Sequence, residues 1–316
     1  MDADIGADVV IVGAGIAGVA AAHRLRAAGR SVRVVDKGRG VGGRMASRRV
    51  GAARFDHGSQ FFTVRSPDFA SVVERASLAG AVVEWTHGFG TPPDGHARWR
   101  GVDGMTSLCK WLATDAGIEP ELGVTVTDLR TLPAAAVVLT PPVPQSLAIL
   151  SFSQLLPDPA TAAGLARLAY EPTLTVLATL DRDPTGMPPH GGRQFADDED
   201  LAFVSDNRAK GISDRPALTV HLSNARSHEY WTRPDDEVVA FAMGRVAALL
   251  GEAATTDAQL MRWRYAGPVE VHPEPTVVWG DAPVVALAGE AFAGPKVEGA
   301  FLSGLAAARA VLDRLE

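Results

Sequence analysis

The sequence predicts an α/β protein of two lobes, one with a central parallel sheet and one with an antiparallel sheet. The continuous apolar run at 9–12 is typical of a parallel strand that is buried on both faces. The segments 173–180 and 218–223 alternate with period two, which is typical of an antiparallel sheet with one polar face. A length of 316 residues also exceeds what one hydrophobic core usually serves.

Predicted strands and helices alternate through the first half of the chain. A helix over 16–28 ends at Gly29 and a second strand spans 31–35, while Ser66 with Pro67 is the pattern that caps and starts a helix. The other elements predicted here are a helix over 105–116, a strand through Val124, Val126 and Leu129, and a buried strand over 136–139. This alternation is what a parallel sheet covered by helices requires.

The second half changes character after the prolines at 141, 142 and 144, where we expect the chain to cross to the second lobe. A helix over 235–250, ended by Gly251, is expected to cover the antiparallel sheet. A strand over 284–288 and a closing helix then return to the first lobe, with an apolar stripe of Phe301, Leu305, Ala308 and Leu312. We therefore predict a discontinuous first domain of residues 1–62, 104–150 and 281–316, and a second domain of residues 63–103 and 151–280.

Composition and charge exclude several classes of protein. A formal net charge of −7 argues against a nucleic-acid partner, which requires a concentrated basic surface. The single cysteine, Cys109, permits neither an internal disulfide nor dithiol chemistry. No apolar run approaches the ~18 residues that span a bilayer, and the acidic start Met1–Asp4 lacks the basic front of a signal peptide. We expect a cytoplasmic protein without a membrane partner.

A glycine-rich turn between the first strand and the first helix carries the strongest functional signal. Its sequence is Gly13-Ala14-Gly15-Ile16-Ala17-Gly18, and Asp36 ends the second strand. In a Rossmann-like fold the first glycine permits the tight turn, the second admits a pyrophosphate and the third allows close helix packing, while the acid binds a ribose. NAD and FAD share the half that this motif binds, so the motif alone leaves the cofactor open.

Two further motifs favour FAD, bound non-covalently. Gly42-Gly43-Arg44 follows Asp36 closely, where an extended dinucleotide carries its phosphates past the first turn and an arginine neutralises them. Gly289-Glu290 follows a buried strand, and Glu298-Gly299-Ala300 opens the final helix. A helix start beside flavin O2 would stabilise the negative charge of the reduced ring.

Six strings in the same order resemble the renalase-type flavoproteins of the amine oxidase superfamily. They are VVIVGAGIAG, DKGRGVGGRMASRR, RFDHGSQFFT, LTPPVPQ, RWRYA, and GEAF with VEGAFLSGLAAA, and the resemblance covers most of the chain. It implies an amine oxidase-like two-domain flavoprotein, with a Rossmann-like FAD-binding domain and a second, α+β substrate domain. Two departures are a short Arg130–Ala135 connection in place of a small antiparallel meander, and Glu290 where the family often has aspartate.

The motifs and the resemblance together give a set of expected cofactor-binding residues. The resemblance implies that Val126 holds adenine through its backbone, that the 58–60 segment passes along the isoalloxazine ring, and that the Gly299 and Ala300 amides face flavin O2. The complete set is Gly13, Ala14, Gly15, Ile16, Ala17, Gly18, Asp36, Lys37, Gly43, Arg44, Met45, Gly58, Ser59, Gln60, Val126, Gly289, Glu290, Glu298, Gly299 and Ala300.

The catalytic and substrate-binding candidates carry weaker signals. His221 lies on the polar face of a predicted strand, where it is either a structural histidine or part of the roof of the flavin cavity. Gln60 is either a hydrogen-bonding group beside the flavin or a backbone cap. Phe61, Trp263 and Tyr265 are the candidates for an apolar substrate wall, with ordinary packing as the alternative.

A metal site is not expected. His57 follows Asp56 in a glycine turn, but no second histidine stands at ligand spacing. The acidic run at 197–200 has no histidine partner and is typical of a solvated loop.

These features predict an FAD-dependent oxidoreductase that transfers a hydride from a small substrate to flavin N5. Dioxygen would then reoxidise the flavin and give hydrogen peroxide. No second glycine fingerprint occurs in the 316 residues, so the substrate itself must supply the hydride. The resemblance implies that this substrate is a 2- or 6-dihydro isomer of NAD(P)H, oxidised to NAD(P)+. One alternative is an amine oxidase or desaturase, which would need an aromatic cage or an apolar tunnel. Aromatic residues make up only 6% of the chain, which makes the cage less favoured. The other alternative is a flavin-binding sensor that never turns over.

Overall fold

The computed structural model describes residues 6–90 and 92–316, so the acidic start Met1–Asp4 lies outside the described residues. Within those ranges the strands are β1 Val9–Val12, β2 Val32–Asp36, β3 Ser47–Val50, β4 Ala53–Asp56, β5 Val82–Thr86, β6 Arg98–Gly101, β7 Glu121–Leu122, β8 Ala136–Leu139, β9 Tyr170–Leu180, β10 Gly192–Gln194, β11 Leu201–Asp206, β12 Ala217–Leu222, β13 Thr255–Pro268, β14 Val277–Trp279 and β15 Val284–Leu287. The α-helices are α1 Ile16–Ala27, α2 Pro67–Leu78, α3 Thr106–Asp115, α4 Val143–Ser153, α5 Pro159–Ala166, α6 Asn224–Glu229, α7 Asp235–Arg245, α8 Ala247–Leu250 and α9 Lys296–Leu315.

The first layer is a six-stranded sheet in the order β14-β15-β8-β1-β2-β7. Its strands pair in parallel except at the edge, where β14 runs antiparallel to β15. Alternate residues of β1 enter two different cores: Val9 and Ile11 pack with α1, α3 and α9, whereas Val10 and Val12 pack with α4 and α5. Burial on both faces explains why this strand is a continuous apolar run.

The second layer is a five-stranded antiparallel sheet in the order β10-β11-β12-β9-β13. The apolar side chains of β12, among them Leu218 and Val220, share a core with Val238 and Ala242 of α7. The opposite face is the polar one, and there Thr219 donates from its hydroxyl over 3.1 Å to the carbonyl of Asp56, which ends β4 in the two-stranded sheet β3-β4. The period-two pattern therefore predicted both faces of this sheet correctly, and the predicted fold class is confirmed.

Two local predictions were wrong. Val124, Val126 and Leu129 form no strand, because Gly123 takes a positive φ of 74° and the chain turns away after two residues of pairing between β7 and β2. Leu129 instead begins a 3-10 turn whose start is capped by the Asp128 side chain. The helix expected over 235–250 is interrupted at Val246, which separates α7 from α8.

The prolines after β8 begin a helix in the first layer. Pro142 is the N-cap of α4, and Leu150 of α4 and Leu165 of α5 pack in the core beneath the parallel sheet. The chain enters the antiparallel sheet only at β9. On the other side, Phe69 and Val73 of α2 share the core of α1 and α9, while the division into two discontinuous domains stays a prediction. No helix in the described ranges is long and apolar enough to cross a membrane.

Candidate functional site

Two positions of the turn at the carboxyl end of β1 require glycine for steric reasons. Gly13 has a φ of 107°, which side chains rarely permit. A Cβ on Gly18 would lie 1.9 Å from the Gly13 carbonyl oxygen, so only glycine lets α1 pack this closely. A Cβ on Gly15 would meet nothing nearer than the Gly42 carbonyl oxygen at 3.9 Å. The open space beside Gly15 is therefore a cradle for a ligand.

The N-terminus of α1 points its backbone N–H groups into this cradle. Gly15 is its N-cap and provides no side-chain hydrogen bond, and the first turn contains no acidic residue. Such an uncapped helix start favours an anion. Gly42 donates from its backbone N–H to the Ala14 carbonyl over 2.8 Å, which brings the turn Gly43–Met45 beside the same cradle.

Several expected cofactor residues can contribute only backbone groups. The side chains of Ile16, Ala17 and Met45 are buried in the core around α1, and Val126 packs against the core on the α4 side of the sheet. These four residues could contact a nucleotide through their backbone groups, but their side chains point into the protein cores.

Asp36 organises the loop in which a ribose is expected. Its two carboxylate oxygens accept from the backbone N–H groups of Ala14 and Gly38, each over 2.6 Å. The neighbouring Lys37 is exposed and its Nζ lies 3.4 Å from Gln145 Oε1. The carboxylate is thus held at the end of β2, and its remaining lone pairs are free to accept ribose hydroxyls.

Arg44 joins three distant segments around the expected phosphate path. Its guanidinium forms a two-pronged ion pair with Glu290 and donates to the Tyr265 carbonyl over 3.1 Å. Its own carbonyl accepts from the Ser59 N–H over 2.8 Å, and a Cβ on Gly58 would lie 2.1 Å from that carbonyl oxygen. The structure thus brings together four of the predicted cofactor-binding residues and the backbone of Tyr265, a candidate for the substrate wall.

The two catalytic candidates, Gln60 and His221, contact each other. Gln60 Nε2 lies 3.0 Å from His221 Nε2, 2.7 Å from the Asp56 carbonyl and 3.0 Å from the Gly58 carbonyl. His221 Nδ1 lies 3.2 Å from Thr175 Oγ1. Burial lowers the pKa of His221 to about 3, so the ring is neutral at pH 7, and both of its nitrogens have protein partners.

A buried ion pair, which the sequence analysis missed, anchors Gln60. Lys210 has a fully buried side chain, and its Nζ donates over 2.7 Å both to Asp56 Oδ2 and to the Gln60 carbonyl. The other Asp56 oxygen accepts from Ser47 Oγ over 2.5 Å and from the Met105 N–H over 2.8 Å. Lys210 lies in the turn after β11, 154 residues away from Asp56, and no local pattern reports such a contact.

A second feature that the sequence analysis missed is an aromatic cluster, defined by Phe61, Trp85, Phe89, His190 and Phe203. Phe61 lies 5.0 Å from Phe89 between ring centroids, and Phe89 lies 4.9 Å from Phe203. Trp85 lies 5.1 Å from Phe89 and donates from Nε1 to the His190 carbonyl over 2.7 Å. A low aromatic content therefore does not exclude an aromatic surface beside Gln60.

On the other side of Gln60, His57 and Trp263 are stacked with 5.2 Å between ring centroids. Trp263 donates from Nε1 to the His57 carbonyl over 2.8 Å. Burial lowers the pKa of His57 to about 4, and its Nδ1 is buried with no hydrogen-bond partner among the described residues. No group of three or more possible metal ligands occurs in the described part of the chain.

The start of α9 differs in part from the expectation. The helix begins at Lys296, and a Cβ on Gly299 would lie 1.9 Å from the Gly294 carbonyl oxygen, so the preceding loop packs tightly on the first turn. Glu298 is turned to another helix, because its Oε1 accepts from the Ser66 N–H over 2.6 Å at the start of α2. Its carboxylate therefore caps the N-terminus of α2, which is a structural role that the sequence did not predict.

The residues present fit a flavin dinucleotide. The cradle at Gly15 and the uncapped start of α1 suit a pyrophosphate, Asp36 suits a ribose, and the orphaned His57 Nδ1 belongs to the residue just before the segment 58–60 that is expected along the flavin ring. Each of these features leaves a polar group or a space that the protein itself does not fill.

Comparisons with known proteins agree with this fit. A family model described as flavin containing amine oxidoreductase matches residues 112–312, and one described as NAD(P)-binding Rossmann-like domain matches residues 11–76. A putrescine oxidase from Kocuria rosea is 41% identical over 71 residues, which are 22% of this chain and only 15% of that relative.

Solved structures share the fold over nearly the whole chain. Cyclohexylamine oxidase from Brevibacterium oxydans has a TM-score of 0.73 at 16% identity and covers 98% of this chain and 99% of its own. A putrescine oxidase bound to putrescine has a TM-score of 0.67 at 15% identity and covers 97% and 99%. At these identities the likeness shows the fold alone, but the first family model spans more than half of the sequence. The chain therefore belongs to the flavin containing amine oxidoreductase family, with FAD as its cofactor.

Proposed function

We propose that the protein is an FAD-dependent oxidase that takes a hydride from a 2- or 6-dihydro isomer of NAD(P)H and releases NAD(P)+. The observation that carries this proposal is the charge around the aromatic cluster. Lys210 Nζ lies 4.7 Å from the Trp85 ring centroid, and the Arg98 guanidinium carbon lies 5.7 Å from that of Phe61. Because these two cations already lie against the aromatic faces, a positively charged amine would compete with them for the same rings, whereas an uncharged dihydropyridine ring would stack without that competition.

The carboxylates near these cations are already paired. Asp56 is bound by Lys210, and Asp94 is bound by Arg98. Neither carboxylate is thus free to bind a substrate ammonium group without breaking an existing ion pair. This distribution supports a neutral or anionic substrate over a diamine.

The ionisation of the site also supports a substrate that needs no strong base. Burial lowers the pKa of His57 to about 4 and that of His221 to about 3, and both His221 nitrogens have protein partners. A dihydropyridine becomes aromatic when it loses hydride, so no proton has to be removed from the reacting carbon. These residues would orient the ring and exclude water from it.

The chain's own residues would hold FAD at both ends. The α1 N–H groups and Arg44 would bind the pyrophosphate, and Asp36 would bind the adenosine ribose. The N-terminus of α9 would lie at the ring end, where its partial positive charge favours an anion. When bound, FAD accepts the hydride and passes two electrons to dioxygen, which gives hydrogen peroxide.

The second candidate is oxidation of an uncharged amine. It is favoured by the aromatic cluster beside Gln60. The chain also shares its fold with a putrescine oxidase and a cyclohexylamine oxidase. Because Lys210 and Arg98 lie over the cluster, such a substrate would have to bind as the free base.

Anaerobic stopped-flow reduction of the FAD-loaded protein separates these functions. We expect prompt bleaching of the flavin by 2- or 6-dihydro-NAD(P), and none by putrescine, cyclohexylamine or the ordinary 4-dihydro form. An Arg98→Gln variant should weaken the apparent affinity for the dihydro isomers with a smaller effect on the limiting rate. Bleaching by the amines alone would reverse the order of the two candidates. If neither class reduces the flavin, both candidates fail and a flavin-binding sensor is favoured.

A further inference from the structure

A contribution to stability does not by itself explain why the Lys210–Asp56 ion pair is buried here. Both side chains are fully buried, and the desolvation of two buried charges often cancels or exceeds their attraction, so an apolar pair of similar volume would serve stability as well. The pair connects Asp56, and through the same ammonium group Gln60 of the segment 58–60 expected along the flavin, with the turn that joins β11 to β12. This connection joins the end of β4, in the two-stranded sheet β3-β4, to the five-stranded antiparallel sheet.

We propose that Lys210 is a positioning residue, which holds Gln60 and His221 in one arrangement between the aromatic cluster and the flavin. Its ammonium group binds the Gln60 carbonyl and the Asp56 carboxylate, and it lies over the Trp85 ring. One buried side chain therefore contacts the segment expected along the flavin and the surface proposed for the substrate.

The hydrogen bonds around Gln60 determine the orientation of its amide group and the tautomer of His221. Gln60 Nε2 faces the Asp56 and Gly58 carbonyls, which only accept, so the amide must direct its two N–H groups toward them, and one of these N–H groups is shared with His221 Nε2. Its Oε1 faces Lys210 Nζ at 3.4 Å, which favours the same orientation. His221 Nε2 is then an acceptor, and the ring proton resides on Nδ1, from which it is donated to Thr175 Oγ1.

The charge of Lys210 also acts on His221 directly. The titratable groups that face His221 are Lys210 and His57, and the Asp56 carboxylate lies beyond Lys210, to which it is paired. Burial, and after it the positive charge of Lys210, lowers the pKa of His221. The ring therefore stays neutral in one tautomer across the range in which an exposed histidine titrates.

The test compares four FAD-loaded proteins. Lys210→Met removes the ammonium group but leaves Asp56 as a buried lone charge, so it is expected to lose stability. The double variant Lys210→Met/Asp56→Asn removes both charges and is expected to recover most of that stability. Lys210→Arg keeps the charge with a different shape, and Lys110→Met makes the same Lys-to-Met change on the exposed face of α3 as a control.

Two measurements separate positioning from a purely structural role. In anaerobic reduction, the double variant should show a limiting rate lowered about ten- to a hundredfold, as expected for a small misplacement of reacting groups, while Lys210→Arg recovers part of the rate. In ¹⁵N spectra of histidine-labelled protein, His221 should hold its proton on Nδ1 from pH 5 to 8 in the native enzyme, whereas in the double variant it should exchange between tautomers or begin to titrate. A double variant that is reduced at the native rate, or a native His221 with its proton on Nε2, would overturn the proposal.

The kinetic measurement rests on the proposed function, because it uses a dihydro-NAD(P) isomer as reductant. The spectrum of His221 does not, since it needs FAD but no substrate. If no nicotinamide isomer reduces the native protein, the proposed function fails. A native Nδ1–H tautomer that is lost in the double variant would then still support the role of Lys210.

Discussion

At the scale of single residues, the two glycines of the first turn are expected to separate folding from cofactor binding. A Cβ on Gly15 has open space, whereas one on Gly18 would collide with the Gly13 carbonyl oxygen at 1.9 Å. Gly15→Ala should therefore leave the free energy of unfolding of the apoprotein within about 0.5 kcal/mol of the native value and lower FAD affinity at least about tenfold, because the methyl group occupies the cradle. Gly18→Ala should destabilise the apoprotein itself by about 1–3 kcal/mol.

Denaturant unfolding of the apoproteins and FAD titration by fluorescence check both expectations. If Gly15→Ala binds FAD like the native protein, the pyrophosphate does not lie in this cradle.

Two buried histidines make the stability of the protein sensitive to acid. The pKa values of His57 and His221 are lowered by burial from an ordinary value of 6.5 to about 4 and about 3. Between these values and pH 6.5 the unfolded chain binds more protons, so the free energy of unfolding rises with pH in that window and is level above it as far as these groups are concerned. Each histidine should contribute up to about 1.4 kcal/mol per pH unit.

His57→Phe preserves an aromatic ring against Trp263 and should remove one of these contributions, so its stability should fall less steeply between pH 6.5 and 4.5. His96→Gln, at an exposed position, is the matched control and should leave the slope unchanged. Equal slopes in the native protein and His57→Phe would mean that His57 is not buried as a neutral ring.

The residues that the sequence predicted well are those whose chemistry is local. The glycine turn and Asp36 belong to one βαβ unit, so spacing alone identified them. Lys210 and the cluster around Trp85 depend on contacts more than 100 residues apart, which no periodicity records. Ser223, expected on the polar face of a strand, instead caps α6 by accepting from the Arg226 N–H, because a serine favours a helix start as readily as a strand end.

At the scale of elements, the junction of α2 and α9 distinguishes a structural from a cofactor-binding role for Glu298. Its carboxylate accepts from the Ser66 N–H, while Ser66 Oγ accepts from the Phe69 N–H over 3.3 Å. Glu298→Ala and Ser66→Ala should each cost about 0.5–2 kcal/mol of unfolding free energy, as lost helix caps do. Neither should change the dissociation constant of FAD by more than about twofold.

Thermal unfolding of the two variants measures the loss of stability, and FAD titration measures any change in the dissociation constant. A large loss of FAD affinity in Glu298→Ala alone would mean that Glu298 contacts the cofactor, as the sequence predicted.

Helix starts were predicted more reliably than short strands, since a cap such as Ser66-Pro67 depends only on adjacent residues. The two-residue strand β7 depends instead on where Gly123 turns the chain.

At the scale of the whole molecule, Arg44 connects the beginning and the end of the chain. It binds Glu290, 246 residues away, and the Tyr265 carbonyl at the end of the antiparallel sheet. Loss of this side chain should leave Glu290 as a nearly buried anion beside the phosphates and weaken FAD binding about ten- to a hundredfold, the range expected for hydrogen bonds to charged groups. Arg44→Lys keeps the charge without the two-pronged geometry and should lose only part of that affinity.

Because a ligand that binds only the folded protein stabilises it by mass action, the same change should appear in heat denaturation. FAD at 100 times its dissociation constant should add about 2.7 kcal/mol to the native protein, and the same FAD concentration should add much less to Arg44→Met. The double variant Arg44→Met/Glu290→Gln removes the lone anion, so its apoprotein should recover stability while FAD affinity stays low. Native FAD affinity in Arg44→Met would mean that the guanidinium only ties protein segments together and that the pyrophosphate depends on the α1 N-terminus alone.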